Sequence, residues 1–448
     1  MAKTFRPWDV DQVWLLPPSV QDFVPPDHLA HFVRELVRES LDLSAIHAEY
    51  LEERGKPPYH PTMMTALLLY AYSQGVYSSR RIARGCQERV DFMAVTGMQK
   101  PDFRTVNDFR KRHLKALSAL FVQVLQLCQG AGLVKLGHVS LDGTKIKANA
   151  SKHSAMSYKR MKEAVPRLAA EVKAWLDQAE TVDLEEDELY GEGHRGDELP
   201  DWVSNKVKRI KRMQESMAIL GEEAKTREAA KRKDEDDDAN GSGTPKKRRG
   251  RPPKTPPGTP EDKAQRNFTD PESRIMKTGS GFEQCYNAQA VVDADSQVVV
   301  AQDVTNEPND QEQLAPMLAQ IEANNGRQAQ EFSADAGYCS EENLKELKRN
   351  HVRGYVATGR QKHGTATATG RRMPEPGTEL HAMWLRLKQG GYRSRYRLRK
   401  HTVEPVFGQM KSCRGFREFL FRGLEKVRGE WSLVCIAHNL LKLAGARA

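Results

Sequence analysis

The sequence predicts a mixed α/β protein in which a sheet domain is interrupted by a charged helical insertion and preceded by an all-helical region. Three observations predict this class. Apolar residues recur at helical spacing through most of residues 1–130. Runs rich in β-branched residues follow at 134–149 and 285–306, after which helix and strand signals alternate as far as residue 358. Between the first strand and the hairpin, residues 150–264 are dominated by charged side chains.

The N-terminal region, residues 1–130, is predicted to be a helical DNA-binding domain. Its helices are expected at 29–37, 61–72, 78–83 and 104–110, with Asp102 as the N-cap of the last one. Short helices joined by tight turns, with Arg104, Asn107 and Arg110 on the final helix, are typical of a helix-turn-helix that reads DNA. An ordinary helical bundle with a solvated basic face predicts the same pattern, and the residues favour neither interpretation.

The sheet domain is predicted from residues 134–149 and 265–448. Its first strand is expected to end at Asp142, and two strand-like runs separated by a short turn predict a hairpin over 285–306. The remaining elements are a helix at 313–322, a strand at 331–335, a helix at 341–349 and a strand at 352–358. Such an order of elements is typical of a mixed sheet.

The insertion, residues 150–264, is predicted to be a charged helical segment, with a helical hairpin turning near 189–200. Residues 231–262 combine blocks of like charge with Pro and Gly, so we expect them to be disordered. Arg249 and Arg251 lie in a basic Gly-Arg-Pro context that resembles an AT-hook, an extended segment whose arginines enter narrow A·T minor grooves. A solvated charge run is the alternative interpretation, and we favour nonspecific DNA contact slightly.

Composition restricts the classes of function. The 448 residues include 70 Lys and Arg against 60 Asp and Glu, a formal net charge of +10, which favours a polyanionic partner. The longest apolar run is far shorter than a membrane span, and the N-terminus has no apolar signal region. The six cysteines are scattered without a CxxC pair. We therefore expect a cytoplasmic protein without a zinc module.

Three acidic residues occupy positions that predict a metal site. Asp142 and Asp335 are each expected at the end of a strand, and Glu404 opens a helix whose first turn accommodates Pro405. Carboxylates without thiols or paired imidazoles favour Mg²⁺ or Mn²⁺. Two such ions about 3.5–4 Å apart would stabilise both oxygens of an in-line phosphoryl displacement. The alternative for Glu404 is that it caps its helix and pairs with Lys400. A structural role of this kind is the simpler explanation for any one acid, and three acids in this arrangement argue against it.

Basic residues surround Glu404 in the sequence. Arg397, Arg399 and Lys400 precede it, and Lys411 follows seven residues later, which is nearly two α-helical turns and predicts the same helix face. Cations beside a metal site would hold the phosphates of a DNA strand.

The chain resembles the DDE transposases of bacterial insertion sequences. The resemblance covers residues 5–150 and 265–445 and is carried by short motifs, namely Leu141-Asp142-Gly143-Thr144-Lys145-Ile146, Asp270-Pro271-Glu272-Ser273-Arg274, Tyr286-Asn287-Ala288-Gln289, Asp335-Ala336-Gly337-Tyr338, Val403 through Lys411, Phe421 through Val427 and His438 through Leu441. It implies a ribonuclease H-like catalytic domain, Mg²⁺-dependent cleavage at the element ends and transfer of the freed 3′-hydroxyl to target DNA. It also implies double-stranded DNA as partner and a homodimer as the working form.

The resemblance assigns roles to individual residues. Asp142, Asp335 and Glu404 match the metal-binding triad, and Lys411 matches the lysine of the Tyr-Arg-Glu-Lys signature. Lys400 stands where the signature has Arg and would still hold phosphate, without the bidentate geometry of Arg. Arg397 stands where the signature has Tyr, with Tyr396 one place away. A nuclease of the same fold without strand transfer, and a non-catalytic DNA-binding relic, are the two alternatives.

Overall fold

The N-terminal region is helical, as predicted. The computed structural model describes residues 19–50, 57–190, 201–241, 255–279, 281–359, 368–370 and 372–446. Within the first part of these ranges the α-helices are α1 (Leu29–Glu39), α2 (Ser44–His47), α3 (Pro61–Ser73), α4 (Ser79–Glu88), α5 (Val90–Thr96), α6 (Phe103–Arg112) and α7 (Leu114–Gly130). The four predicted helices correspond to α1, α3, α4 and α6.

The start of α6 follows from its sequence. The Asp102 carboxylate accepts hydrogen bonds from the backbone N–H of Arg104 at 2.7 Å and of Thr105 at 3.0 Å, so it is the N-cap that the sequence predicts. Helices α2, α5 and α7 were not predicted individually. Helix α5 separates α4 from α6. It is only two turns long and ends at Gly97, whose φ of 58° is left-handed. A helix this short carries too few apolar positions to show a clear period.

The strands form one mixed sheet and one small pair. The strands are β1 (His138–Lys147), β2 (Ala155–Ser157), β3 (Gln265–Asn267), β4 (Arg274–Thr278), β5 (Gly281–Asp293), β6 (Val299–Thr305), β7 (Glu331–Ala334) and β8 (Arg353–Val356). In the main sheet the order is β4-β5-β1-β7-β8, with β6 paired to the second half of β5. Strand β1 is antiparallel to β5 and parallel to β7, and β7 is parallel to β8. The predicted hairpin and the strands that follow it are confirmed.

Asp142 lies inside β1, and the prediction that it ends the strand is wrong. Strand β1 continues to Lys147 because its antiparallel pairing with β5 extends through that residue. The parallel pairing of β1 with β7 stops earlier, at Ser140 opposite Ser333. Continuing this register by two residues places Asp142 level with Asp335, the residue that follows β7.

The insertion contains a helical hairpin, as predicted. Its helices are α8 (Tyr158–Tyr190) and α9 (Asp201–Gly241), and the intervening residues 191–200 lie outside the described ranges. The hairpin has its own small core of Met161, Leu168, Met213 and Leu220. The antiparallel pair β2–β3 joins the residues just before α8 to residues 265–267, which follow the hairpin in the sequence.

Part of the segment predicted to be disordered is ordered. Helix α9 continues to Gly241, and residues 255–262 form turns. Once a long helix has formed, each further residue adds a hydrogen bond without a new nucleation cost, so the helix extends into polar sequence. Residues 242–254, with the AT-hook candidates Arg249 and Arg251, lie outside the described residues.

The remaining helices cover the sheet and join it to the N-terminal region. They are α10 (Leu314–Asn325), α11 (Glu341–Arg349), α12 (Glu379–Gly390), α13 (Val403–Gly408) and α14 (Leu424–Gly445). Helix α14 is buried without a break over residues 429–440 and packs against α3, α7 and β6. As a result, the buried apolar residues of the helical region and of the sheet form one continuous cluster.

The Asp270-Pro271-Glu272 motif has a structural role. The buried Asp270 carboxylate accepts hydrogen bonds from the Tyr286 hydroxyl at 2.8 Å and from the Gly423 N–H at 3.2 Å. Glu272 accepts from the Leu424 N–H at 2.8 Å. The motif therefore attaches the start of α14 to β5.

A buried histidine in α14 makes the fold sensitive to acid. The Nε2–H of His438 donates to the Gln297 carbonyl at 2.8 Å, and its Nδ1 accepts from Arg414 at 3.1 Å, so the ring is neutral. Burial, then the charges of Arg414 and Lys442, lower the pKa of His438 to about 3.

We expect acid destabilisation to begin just below the ordinary histidine pKa of about 6.5, because there the unfolded chain binds a proton that the folded chain excludes. Stability should be full above this pH and fall progressively toward pH 3. The measurement is Tm against pH for the wild type and for His438→Gln, which keeps a donor and an acceptor but does not titrate. The Tm of the wild type should fall more than that of the variant between pH 7 and 5. Parallel Tm curves would contradict the assignment of the acid sensitivity to His438.

Candidate active site

Asp142 and Asp335 are held side by side by local backbone contacts. One carboxylate oxygen of Asp142 accepts from the Gly143 N–H at 2.9 Å. Asp335 caps the short turn Ala336–Tyr338, with its Oδ1 accepting from the Gly337 N–H at 2.8 Å. Each acid therefore has one carboxylate oxygen held by a backbone N–H. The structure brings these two predicted residues together.

Arg399 pairs directly with Asp142. Its Nη2 donates to Asp142 Oδ2 at 2.8 Å, and its Nη1 donates to the Tyr396 hydroxyl at 3.1 Å. Arg399 and Tyr396 are both buried, on the 3-10 helix Arg395–His401. The pKa of Asp142 is raised to about 6, chiefly by burial and also by the charge of the neighbouring Asp335, while Arg399 and the Gly143 N–H partly oppose the rise. The site therefore contains a partly buried acid pair with a cation already placed on it.

The tyrosine and arginine that face the acids are not at the positions predicted. Lys400 is exposed, and Arg397 lies 5.1 Å from the ring of the exposed Tyr392. Tyr396 and Arg399 keep the Tyr-x-x-Arg spacing of the signature, shifted by one residue relative to Glu404. Counting back from Glu404 placed the signature on Arg397 and Lys400. A search for the Tyr-x-x-Arg spacing by itself would have identified Tyr396 and Arg399.

Glu404 lies in the first turn of α13, as predicted, and is exposed. Helix α13 packs against β1, the strand that carries Asp142. No hydrogen bond or ion pair joins Glu404 to any other residue that the structure describes. Its carboxylate is therefore available to a ligand.

Lys411 contacts β1, the strand that carries Asp142. It lies on a π-helical turn, Gln409–Cys413, that directly continues α13, so the segment between Glu404 and Lys411 is not α-helical throughout. The Lys411 ammonium donates to the Thr144 hydroxyl at 2.5 Å and to the Lys145 carbonyl at 2.8 Å. This places a positive charge two residues along β1 from Asp142.

A polar network beside the acids was missed by the sequence analysis. Asp310 accepts hydrogen bonds from the amides of Asn287 at 2.5 Å and Gln289 at 2.9 Å, and lies 3.8 Å from the Lys145 ammonium. A Cβ at Gly143 would lie 2.5 Å from Gln289 Nε2 and 2.8 Å from Asp310 Oδ1, so a larger residue there would displace the polar ends of this network. The sequence pattern that could have revealed this network is the alternation of amide and apolar residues in β5, which places the amides on one face of the sheet.

Arg110, predicted to contact DNA, is part of the core. It is 2% exposed, and its Nη1 donates to the Tyr72 hydroxyl at 3.0 Å and to the Tyr77 carbonyl at 2.9 Å. Its guanidinium lies 4.6 Å from the Phe421 ring centre and offsets the charge of the fully buried Glu430. The prediction is wrong because Arg110 lies on the inner face of α6.

The outer face of α6 keeps an exposed basic surface. Arg104 is exposed and lies 5.7 Å from the exposed Phe103 ring, and Arg80 on α4 lies 5.3 Å from the same ring. Asn107 is half-buried, 3.5 Å from Arg110. Of the three residues predicted on α6, Arg104 is therefore the one best placed to meet a large partner.

The described carboxylates do not form a closed metal cage. No group of three or more His, Cys, Asp or Glu side chains in the described ranges is arranged to hold a metal ion. Asp142 and Asp335 are adjacent, whereas Glu404 is on the surface of α13. Likewise, no described helix is both long and apolar enough to span a bilayer.

Comparison with known proteins gives two family matches. Residues 18–112 match a family described as a transposase domain (DUF772), and residues 240–440 match one described as a transposase DDE domain. No curated protein and no solved structure matches the chain. Both family matches define a transposase, and the second one includes Asp335 and Glu404. The chain belongs to the DDE transposases of insertion-sequence type.

Proposed function

We propose that this transposase cuts DNA at the ends of its insertion sequence and joins the freed ends to target DNA, with Asp142, Asp335 and Glu404 as the ligands of Mg²⁺. One observation carries the proposal: Asp142 and Asp335 lie level with each other on neighbouring parallel segments, with the guanidinium of Arg399 on Asp142 at 2.8 Å. Two carboxylates that lie level on neighbouring segments repel each other, so they favour a cation between or beside them.

The strand order supports a ribonuclease H-like catalytic domain. A central β1 is flanked on one side by an antiparallel hairpin, β5 and β6, and on the other by parallel β7 and β8. In this arrangement β1 carries the first acid, the second acid directly follows β7, and α13 carries the third.

The donor set fits Mg²⁺, with Mn²⁺ as a substitute and two ions as the expected number. Every candidate ligand is a carboxylate oxygen, the donor that these cations prefer. Asp335 Oδ2 and both oxygens of Glu404 have no hydrogen-bond partner among the described residues, so they are free to accept a ligand. The bound ions would supply charge stabilisation to the attacking and leaving oxygens.

The basic residues of the site orient the DNA and balance the charge of the acids. Arg399 holds the Asp142 carboxylate in place, and Lys411 places its ammonium along β1. Lys400, exposed on the same segment, and Arg397 would contact phosphates of the bound strand. Arg104 and its neighbours on α4 and α6 would contact the element end, with a homodimer on double-stranded DNA as the working form.

The test is a cleavage and strand-transfer assay on DNA carrying the inverted repeats that flank the gene. It compares the wild type in Mg²⁺, the wild type in EDTA, and Asp335→Asn in Mg²⁺. We expect Mg²⁺-dependent cuts at the repeat boundary and joined products, both lost with EDTA and in the variant, because the amide cannot supply the ligand charge.

Each other outcome has a defined meaning. Cuts without joined products would indicate a nuclease of the same fold. Binding without cuts in any sample would indicate a DNA-binding relic, and the assignment of the three acids would then be abandoned.

A further inference from the structure

A cleft lined by arginines lies at the β8 edge of the sheet. It has a volume of about 590 Å³ and is formed by β8, by α12 and by residues 391–395. Arg353, Arg386, Arg393 and Arg395 line it, and no Asp or Glu is among its described lining residues. The size is typical of ligand sites in proteins.

The positive charge of the cleft is only partly balanced. Arg395 pairs with Glu331 at 3.2 Å, and Arg386 donates to the neutral Gly354 carbonyl at 2.8 Å. Arg353 lies 5.8 Å from the Tyr355 ring centre. Neither Arg353 nor Arg393 has a carboxylate partner in the part of the chain that the structure describes. Several guanidinium groups facing one cavity repel each other unless an anion binds there.

The position of the cleft relative to the acids suggests which anion. Glu331, the partner of Arg395, begins β7, and Asp335 follows the end of the same strand. Four residues of a strand span about 13 Å. This distance equals about four base-pair steps at roughly 3.4 Å each along the axis of a B-form duplex. A strand lying across Asp142 and Asp335 can therefore reach the cleft with its next few phosphates.

We propose that the arginine cleft binds the phosphate backbone of the DNA strand that passes through the active site, about four nucleotides from the phosphate that is cut. The inference rests on the proposed function. Guanidinium groups suit this role because they bind phosphate oxygens in a bidentate geometry. The cleft would thereby fix which phosphate reaches the acids.

The test removes the two unpaired arginines and measures binding without cleavage. The full chain, in EDTA, is titrated against duplex DNA carrying the gene-flanking inverted repeat and its flanking base pairs, at several salt concentrations. The variant is Arg353→Ala/Arg393→Ala. The control is Arg38→Ala/Arg349→Ala, which removes the same charge from exposed arginines paired with Glu39 and Glu346. We expect the salt slope of log K to fall in magnitude by about 2 in the variant, one unit for each lost phosphate contact.

A second series locates the contact. Single methylphosphonates, which are uncharged, replace successive phosphates on each side of the cleavage position. The wild type should bind more weakly when the neutral group lies about four nucleotides from the cut, and the variant should be insensitive to it, because both changes remove one contact. A free mononucleotide is titrated in parallel.

Three results would overturn the proposal. The variant and the control could show the same salt slope, the methylphosphonate effect could persist in the variant, or only mononucleotide binding could be lost. The last result would identify a nucleotide site instead. If the wild type nevertheless cuts the same DNA in Mg²⁺, the proposed function stands and only the cleft assignment fails.

Discussion

Glu404→Gln is expected to abolish DNA cleavage while leaving the fold almost unchanged. Glu404 is exposed in the first turn of α13 and has no partner among the described residues, so losing its charge costs the fold only the helix-dipole contribution of about 0.3–1 kcal/mol. If it is a metal ligand, losing several kcal/mol of transition-state stabilisation lowers the rate about a thousandfold. The measurement is the cleavage rate in Mg²⁺ together with Tm.

A matched control distinguishes a metal ligand from an acid that only stabilises a helix terminus. Glu425 occupies the same position in the first turn of α14 and is also exposed. Glu425→Gln should change Tm as little as Glu404→Gln does and should keep full activity. If Glu404→Gln also cleaves at the normal rate, Glu404 is only a helix-terminal acid, and the third ligand must be another carboxylate.

Arg110→Met is expected to destabilise the fold by about 3–5 kcal/mol, because it removes a buried cation that offsets the charge of the buried Glu430 carboxylate and that donates to Tyr72 and Tyr77. Glu430 accepts from the backbone N–H of Leu420 at 2.9 Å and of Phe421 at 3.1 Å, and burial raises its pKa. Met fills a similar volume, so the loss is electrostatic rather than a cavity. Chemical denaturation followed by circular dichroism measures it.

The partner substitution checks the cause. Adding Glu430→Gln to Arg110→Met should recover part of the lost stability, because the buried charge is then removed with its cation. Arg104→Met, on the exposed face of the same helix, should leave stability unchanged. A DNA-contacting Arg110 would behave in the opposite way, with normal stability and weakened binding.

The elements of the fold were predictable where their signals are local. The helical period of α1, the apolar run of α3 after Pro61, the cap at Asp102 and the strand pattern of β5 and β6 are each contained in a few neighbouring residues. The structure differs where order depends on context. Helix α9 extends into polar sequence, and the pair β2–β3 joins segments separated by the whole insertion.

The site was predictable only in part. Asp142 and Asp335 were identified because acids at the ends of neighbouring strands are typical of functional sites. The expected strand end at Asp142 was nevertheless wrong, since the pairing with β5 extends β1 past this residue. The pairing of Arg399 with Asp142, the hydrogen bonds of Asp310 and the burial of Arg110 all depend on contacts between distant segments. Such contacts leave no periodic pattern in the sequence. Counting the family signature back from Glu404 placed its tyrosine and its arginine one residue after Tyr396 and Arg399, which occupy these roles in the structure.

The long sequence separation within the site has a consequence for synthesis of the protein. Arg399 reaches Asp142 across 257 positions, and Lys411 reaches Thr144 across 267. A nascent chain still on the ribosome therefore has its first acid long before it has the residues that hold and complete the site. Helix α14, whose residues 429–440 are buried in the shared core, is synthesised after Arg399 and Lys411. Translation products that stop before Arg399 therefore lack the contact that holds Asp142, and the proposed site cannot assemble in them.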